Sequence, residues 1–154
     1  MAGVSGSGKS SFARVIGRIY RVPVHEVEAR ECWSIMPGLG RQECFARAFI
    51  DKMEQGAGVY TNHLLTVYGY TAAMLGSEHP LARRLKNIVE RRGDPVIVLV
   101  VGRGTLEERI VRRLETDSQR STNTTETNIK LHLNAQKHIL DYARQHSLPT
   151  ISMV

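Results

Sequence analysis

Gly3-Val-Ser-Gly-Ser-Gly-Lys-Ser10 is the stretch of this sequence that decides the fold. It fits the pattern G-x-x-x-x-G-K-[ST], in which glycines allow the backbone to turn successive N–H groups toward one point. A helix should follow, and its positive N-terminal end also attracts anions. Apolar residues at i, i+3, i+4 and i+7 predict that this helix buries one stripe, made of Phe12, Val15, Ile16 and Ile19. The stretch therefore predicts a phosphate-binding loop and a nucleotide-binding protein.

The pattern also assigns roles to single residues of this loop. Lys9 can reach the β- and γ-phosphates of ATP, and the hydroxyl of Ser10 can ligate Mg²⁺. The other residues expected to hold the nucleotide are Gly3, Ser5, Gly6, Ser7, Gly8 and Ser11. The loop alone does not separate hydrolysis, phosphoryl transfer and switching.

Length and composition fit one globular domain covering residues 1–154, with 42% hydrophobic and 23% charged residues. No apolar run approaches the roughly 20 residues of a membrane span, so no membrane partner is expected. The formal net charge of +6 favours nucleotides or nucleic acid as partners, with a merely solvated basic surface as an equal alternative. We interpret Cys32 and Cys44 as reduced thiols. No export signal is evident and ATP is intracellular, so a cytoplasmic location is expected.

Predicted strands alternate with predicted helices along the chain. The clearest strand is Val96–Val101, whose six consecutive apolar residues indicate burial on both faces of a parallel sheet. Thr105-Leu-Glu-Glu108 has the spacing of a capping box and predicts the start of a helix. Other strands are expected within 22–27, 59–61 and 150–154, and other helices at 41–54, 64–75, 81–91 and 126–145. This order predicts a three-layer α/β fold of the P-loop NTPase type, with a mostly parallel sheet flanked by helices.

The start of the chain does not fit this fold completely. A phosphate loop should follow a buried strand, yet only Met1 and Ala2 precede Gly3. The first, central strand is therefore apparently missing, unless another segment takes its place in the sheet.

Phosphoryl transfer needs positive charge on the migrating group and a residue that orients the acceptor. A lid-like segment at about 109–127 could supply the charge, although a solvated helix face with acidic partners is the alternative. Its arginines are Arg109, Arg112, Arg113 and Arg120. Neither candidate strand ends in an acid, since Asn62 follows one and Gly102 the other. Glu28 is the remaining candidate for a base or metal-shell carboxylate, and surface pairing is its alternative.

In its order of elements the chain resembles the thymidylate kinase and deoxynucleoside kinase group of P-loop kinases. Val27-Glu-Ala-Arg30 stands where that group has an arginine-bearing acceptor segment, and residues 59–70 resemble its strand and helix beside the acceptor pocket. The resemblance implies ATP and Mg²⁺ as cofactors and a nucleoside or nucleoside monophosphate as acceptor. Arg30, Asn62 and Tyr68 are the candidate acceptor contacts. Asn62 replaces an acid of that group, which favours a broader small-molecule kinase.

Three hypotheses follow from these patterns. The first is ATP-dependent phosphoryl transfer to a small acceptor, with catalytic roles for Lys9, Glu28, Arg113 and Arg120 and nucleotide contacts from Arg109 and Arg113. The second is a catalytically impaired ATP-binding protein that acts as a switch or partner-binding module. The third is a kinase acting on nucleic-acid ends, which the basic charge favours. A homodimer is left open.

Overall fold

The computed structural model describes residues 1–116 and 125–153. The helices are α1 (Lys9–Tyr20), α2 (Leu39–Lys52), α3 (Leu64–Leu75), α4 (Pro80–Arg92), α5 (Arg103–Thr116) and α6 (Thr125–Gln145). The strands are β1 (Val24–His25), β2 (Val59–Tyr60), β3 (Val98–Val101) and β4 (Thr150–Met153), and Arg30–Ser34 forms a short 3-10 helix. The predicted α/β class is confirmed. Among these described elements, no helix combines the length and apolar character that crossing a membrane requires.

One predicted helix start is wrong. Helix α5 begins at Arg103, so Thr105 lies within its first turn and does not cap it. Residues 117–124 of the predicted lid, including Arg120, lie outside the described residues.

Short parallel pairs form the sheet. Strand β1 pairs with β2, and β3 pairs with β4. The chain start lies between these pairs, because the Met1 nitrogen donates to the Tyr60 carbonyl at 2.9 Å and Ala2 forms a parallel bridge with Val98. Within residues 1–116 and 125–153, Met1 and Ala2 thus lie where the first strand was expected, and no other segment replaces it.

Helix α3 lies at the centre of the core. Its residues 64–69 are all buried, and it packs most extensively against α6. The two helices meet closely at Gly69, where a β-carbon would lie 2.5 Å from Ile139 Cγ1 and 2.9 Å from the Ala135 carbonyl oxygen. Only glycine fits this contact without a shift of α6.

The predicted buried stripe of α1 is wrong. Val15 and Ile19 are 49% and 65% exposed, whereas Ala13 and Gly17 face the core. The reason is the close approach of α1 to β1, since a β-carbon at Gly17 would lie 2.4 Å from Val24 Cγ2. Small residues occupy the buried side, and the larger apolar residues are left toward solvent.

The prediction of two reduced thiols is also wrong. Cys32 in the 3-10 helix forms a disulfide with Cys44 in α2, 12 positions away, with their α-carbons 5.7 Å apart. The 3-10 helix folds back onto α2, which brings the two cysteines together. Disulfides are typical of oxidising compartments, so the cysteines lend no support to the expected cytoplasmic location.

Candidate functional site

The phosphate loop has the backbone that its glycines predict. Gly3, Gly6 and Gly8 have φ values of 148°, 82° and 90°, in the region that favours glycine. At Gly3 a β-carbon would lie 2.7 Å from the Leu99 carbonyl oxygen. Lys9 opens α1, and its Nζ donates to the Val4 carbonyl at 2.8 Å, so the side chain folds back over the loop.

A cavity of about 240 Å³ opens beside this loop. It gathers nine of the predicted site residues: Ser5, Gly6, Lys9, Ser10, Glu28, Arg30, Asn62, Arg109 and Arg113. Four further loop residues do not line it. Gly3 and Ser7 are buried, Gly8 caps α1, and Ser11 is exposed.

Two arginines of α5 contact the phosphate loop directly. Arg109 Nη1 donates to the Gly6 carbonyl at 2.6 Å, and Arg113 Nη1 donates to the hydroxyl of Ser5. Arg112 does not line the cavity and lies beside Glu108 on another part of the surface. The predicted arginine cluster therefore divides, and positions 109 and 113 face the loop.

Helix α3 holds the loop from the other side. The hydroxyl of Thr66 accepts from the Gly3 N–H at 3.2 Å, and the hydroxyl of Tyr70 accepts from the Ser5 N–H at 2.9 Å. Tyr70 also bonds to Nδ1 of His132 in α6. Residues 59–70 were expected beside the acceptor pocket, but none of these three side chains was predicted to hold the loop. The spacing of four between Thr66 and Tyr70 places them on one helix face and could have revealed them.

Tyr68 was predicted to contact substrate, but it does not line the cavity. Its side chain is buried in the core, with its ring centroid 6.2 Å from that of Tyr142. Residues two apart on a helix do not share a face, so Tyr70 reaches the cavity and Tyr68 cannot.

Aromatic and apolar side chains enclose the end of the cavity formed by α2, α3 and the 3-10 helix. We call this end the aromatic pocket; it comprises Trp33, Gln42, Phe45, Phe49, Val67 and Met74. Gln42 is 3% exposed, and its Nε2 donates to the Met74 sulfur at 3.3 Å. The sequence did not reveal this pocket, because apolar residues at helical spacing are equally consistent with packing in the core and with lining a pocket.

The cavity is strongly cationic. Lys9, Arg30, Arg41, Arg109 and Arg113 contribute positive charge, and Glu28 is the sole carboxylate among the described residues that line it. Glu28 Oε2 lies 3.7 Å from Arg30 Nε, and both side chains are more than half exposed. Such an exposed pair is weak, so Glu28 can exchange this partner for a substrate.

His63 supports α3 away from the cavity. Its Nδ1 accepts from the Leu65 N–H at 3.0 Å and caps the helix, so Nε2–H donates to Asp94 at 2.9 Å. Burial lowers the pKa of His63 below its ordinary value. The hydrogen bond from His63 lowers the pKa of Asp94 to about 2, and a second bond from Arg92 adds to this effect.

Comparison with known proteins supports the fold through a solved structure. No protein-family model matches the chain, and no curated protein matches its sequence. A solved structure of deoxyadenosine kinase from M. mycoides with bound dCTP superposes with a TM-score of 0.64 at 16% identity, covering 99% of this chain and 89% of the kinase chain. The chain therefore has the fold of this kinase, which confirms at the level of fold the resemblance inferred from the order of elements.

Proposed function

We propose that this protein transfers the γ-phosphate of ATP to a nucleoside. One observation carries the proposal: the phosphate loop and the aromatic pocket open into the same cavity, with Glu28 and five cations on its walls. A donor triphosphate and an acceptor can thus meet in one site. The kinase fold of the solved neighbour is consistent with this chemistry.

The lining of the aromatic pocket favours a neutral nucleoside over a nucleoside monophosphate. Aromatic rings suit the faces of a base, and the buried amide of Gln42 can pair with a base edge. Arg41, whose guanidinium carbon lies 5.2 Å from the Trp33 ring centroid, already donates to the carbonyls of Ile35 and Trp33 at 2.7 and 3.1 Å.

The remaining roles follow from charge and reach. Lys9 would leave the Val4 carbonyl to contact the β- and γ-phosphates, while Arg109 and Arg113 stabilise the charge on the migrating group. Glu28 would accept the proton of the acceptor hydroxyl. Ser10 and the nucleotide phosphates would hold Mg²⁺, which neutralises phosphate charge when bound. Mg²⁺ in such sites is usually held by one or two carboxylates together with the substrate phosphates, and Glu28 is the carboxylate among the described residues that line this cavity.

A second candidate is an ATP-binding protein with little catalysis. It is favoured by Asn62, which follows β2 where the resembling kinases have an acid, and whose Oδ1 accepts from the His63 N–H at 2.9 Å. This candidate predicts ATP binding without acceptor-dependent turnover.

A substrate panel tests the proposal. ADP release with Mg-ATP should be stimulated by nucleosides more than by nucleoside monophosphates or short oligonucleotides. Replacing the amide by Gln42→Leu should raise the KM for the nucleoside roughly 10- to 100-fold, since a lost pair of base contacts costs about 1–3 kcal/mol. Preferential turnover of monophosphates or oligonucleotide ends would overturn the nucleoside assignment.

A further inference from the structure

We propose that the Cys32–Cys44 disulfide positions the acceptor side of the cavity, so that thiol–disulfide exchange at this bond sets the affinity for the acceptor and leaves nucleotide binding unchanged. The inference rests on the proposed function in assigning the aromatic pocket to the acceptor. Its structural part, that the bond orders this wall of the cavity, stands independently of any substrate.

Both cysteines are next to residues of the aromatic pocket. Cys32 immediately precedes Trp33, and Cys44 lies between Gln42 and Phe45 on α2. The rings of Trp33 and Phe45 meet edge to face with centroids 5.3 Å apart. The disulfide therefore joins the two elements that supply this ring pair, and breaking it would remove the covalent link between them.

The segment that the disulfide closes is largely exposed. Ile35, Met36 and Leu39 are 37%, 81% and 43% exposed, and a β-carbon at Gly38 would meet nothing within 4 Å. Arg41 provides a second restraint through its bonds to the carbonyls of Ile35 and Trp33 and the 5.2 Å approach of its guanidinium carbon to the Trp33 ring. Losing the disulfide should thus loosen residues 33–41 without unfolding the domain.

The nucleotide side does not depend on this bond. The phosphate loop is held by Thr66 and Tyr70 from α3 and by Arg109 and Arg113 from α5. None of these elements carries a cysteine. An effect restricted to the acceptor side is therefore expected.

The exchange reaction balances with a dithiol as reductant. A dithiol thiolate attacks a sulfur of the bond, and the half-buried Cys44 is the accessible one because Cys32 is fully buried. Cys32 leaves as a thiolate and takes up a proton, and the second dithiol sulfur then releases Cys44. Two electrons pass to the protein, which gains two thiols, while the dithiol becomes a disulfide. The sequence holds two cysteines in all, so the reductant has no other target in the chain.

The test compares the oxidised and the dithiol-reduced protein. Mass spectrometry of the air-oxidised chain should show the loss of two hydrogens, and reduction should shift the emission of Trp33, the sole tryptophan. Reduction should raise the nucleoside KM about tenfold, the scale expected when ordering of a few side chains must accompany binding. The Kd for Mg-ATP and kcat should stay unchanged.

The double variant Cys32→Ser with Cys44→Ser provides the matched control. It should resemble the reduced protein and show no further response to dithiol, and far-UV circular dichroism checks that it folds. Two free thiols in the oxidised protein, or an unchanged Trp33 emission and nucleoside KM after reduction, would overturn the inference. If no nucleoside is turned over in either state, the proposed function fails, while the Trp33 emission still decides whether the disulfide orders this wall.

Discussion

The proposed phosphoryl transfer depends on Glu28 as the base that takes the acceptor proton. Glu28 is the sole carboxylate among the described residues that line the cavity, and its ion pair with Arg30 is exposed and weak. If it takes the acceptor proton, Glu28→Gln should lower kcat roughly 10²- to 10⁴-fold and leave the KM for ATP nearly unchanged. Steady-state kinetics of ADP release measure both constants.

Glu31→Gln is a suitable control for that substitution. Glu31 lies three residues further on, pairs with Lys52 at 3.2 Å and does not line the cavity. It should keep full activity. Equal losses of activity in the two variants would contradict a specific role for Glu28.

His63 makes the stability of the fold depend on pH. Because burial lowers its pKa in the folded state, the unfolded chain binds protons more readily below the ordinary value of 6.5. The free energy of unfolding should therefore fall as the pH drops from 7.5 to 5. Asp94, whose pKa is lowered from 3.8 to about 2, contributes a further loss only as the pH falls below 3.8. Urea denaturation at a series of pH values measures this dependence.

His63→Asn separates titration from helix capping. Asparagine keeps an oxygen that can accept from the Leu65 N–H, but it does not titrate in this range. The variant should be less stable at neutral pH, because the bond to Asp94 is lost, and its stability should change less between pH 7.5 and 5. An unchanged slope would show that another group causes the wild-type dependence.

Residues of the phosphate loop were predictable because the motif fixes both chemistry and spacing. Lys9, Arg109 and Arg113 line the cavity. Tyr70 and Gln42 were missed because their positions depend on how α3 and α2 are rotated against the rest of the fold. That rotation is determined by tertiary packing, which cannot be inferred from local sequence patterns. The rotation of α3 also places Tyr68 in the core.

The contact of α3 with α6 allows a test of whether close packing at Gly69 contributes to stability. Alanine normally stabilises a helix relative to glycine by up to about 1 kcal/mol. At Gly69, however, the new β-carbon would press on Ile139 and the Ala135 carbonyl. We expect Gly69→Ala to lower the free energy of unfolding by about 1–3 kcal/mol through overpacking. Chemical denaturation gives this value.

Gly104→Ala in α5 is the matched control, since a β-carbon there meets nothing within 4 Å. It should leave stability unchanged or raise it slightly. A loss of stability at Gly104 as large as that at Gly69 would contradict the packing argument.

Most helices and strands could be predicted from the sequence, and the errors concern the tertiary contacts between them. Val96–Val101 was predicted as the clearest buried strand, and β3 lies within it. Helix α1 exists as predicted but with its apolar stripe on the wrong side, because Gly17 allows close contact with β1. The disulfide was missed for a related reason. Nothing in a spacing of 12 shows that the 3-10 helix folds back onto α2.

For the whole molecule, the notable feature of the sheet is that Met1 and Ala2 occupy the place of the first strand, which the sequence left apparently missing. Met1 and Ala2 link the β1–β2 pair to the β3–β4 pair through backbone hydrogen bonds. Despite its shortness, this connection keeps Gly3 beside β3 and orients the loop toward the cavity. The loop and the aromatic pocket are thereby held in one site.

The most direct test of the proposed kinase activity is acceptor-dependent ADP release by the wild-type protein and by Lys9→Ala. Lys130→Ala is the control, because Lys130 is 72% exposed and lies outside the cavity lining. We expect a nucleoside to stimulate ADP release by the wild-type protein, Lys9→Ala to abolish this stimulation and Lys130→Ala to retain it. ATP binding that requires Lys9, without stimulation by any nucleoside, would contradict the kinase assignment and favour the ATP-binding protein.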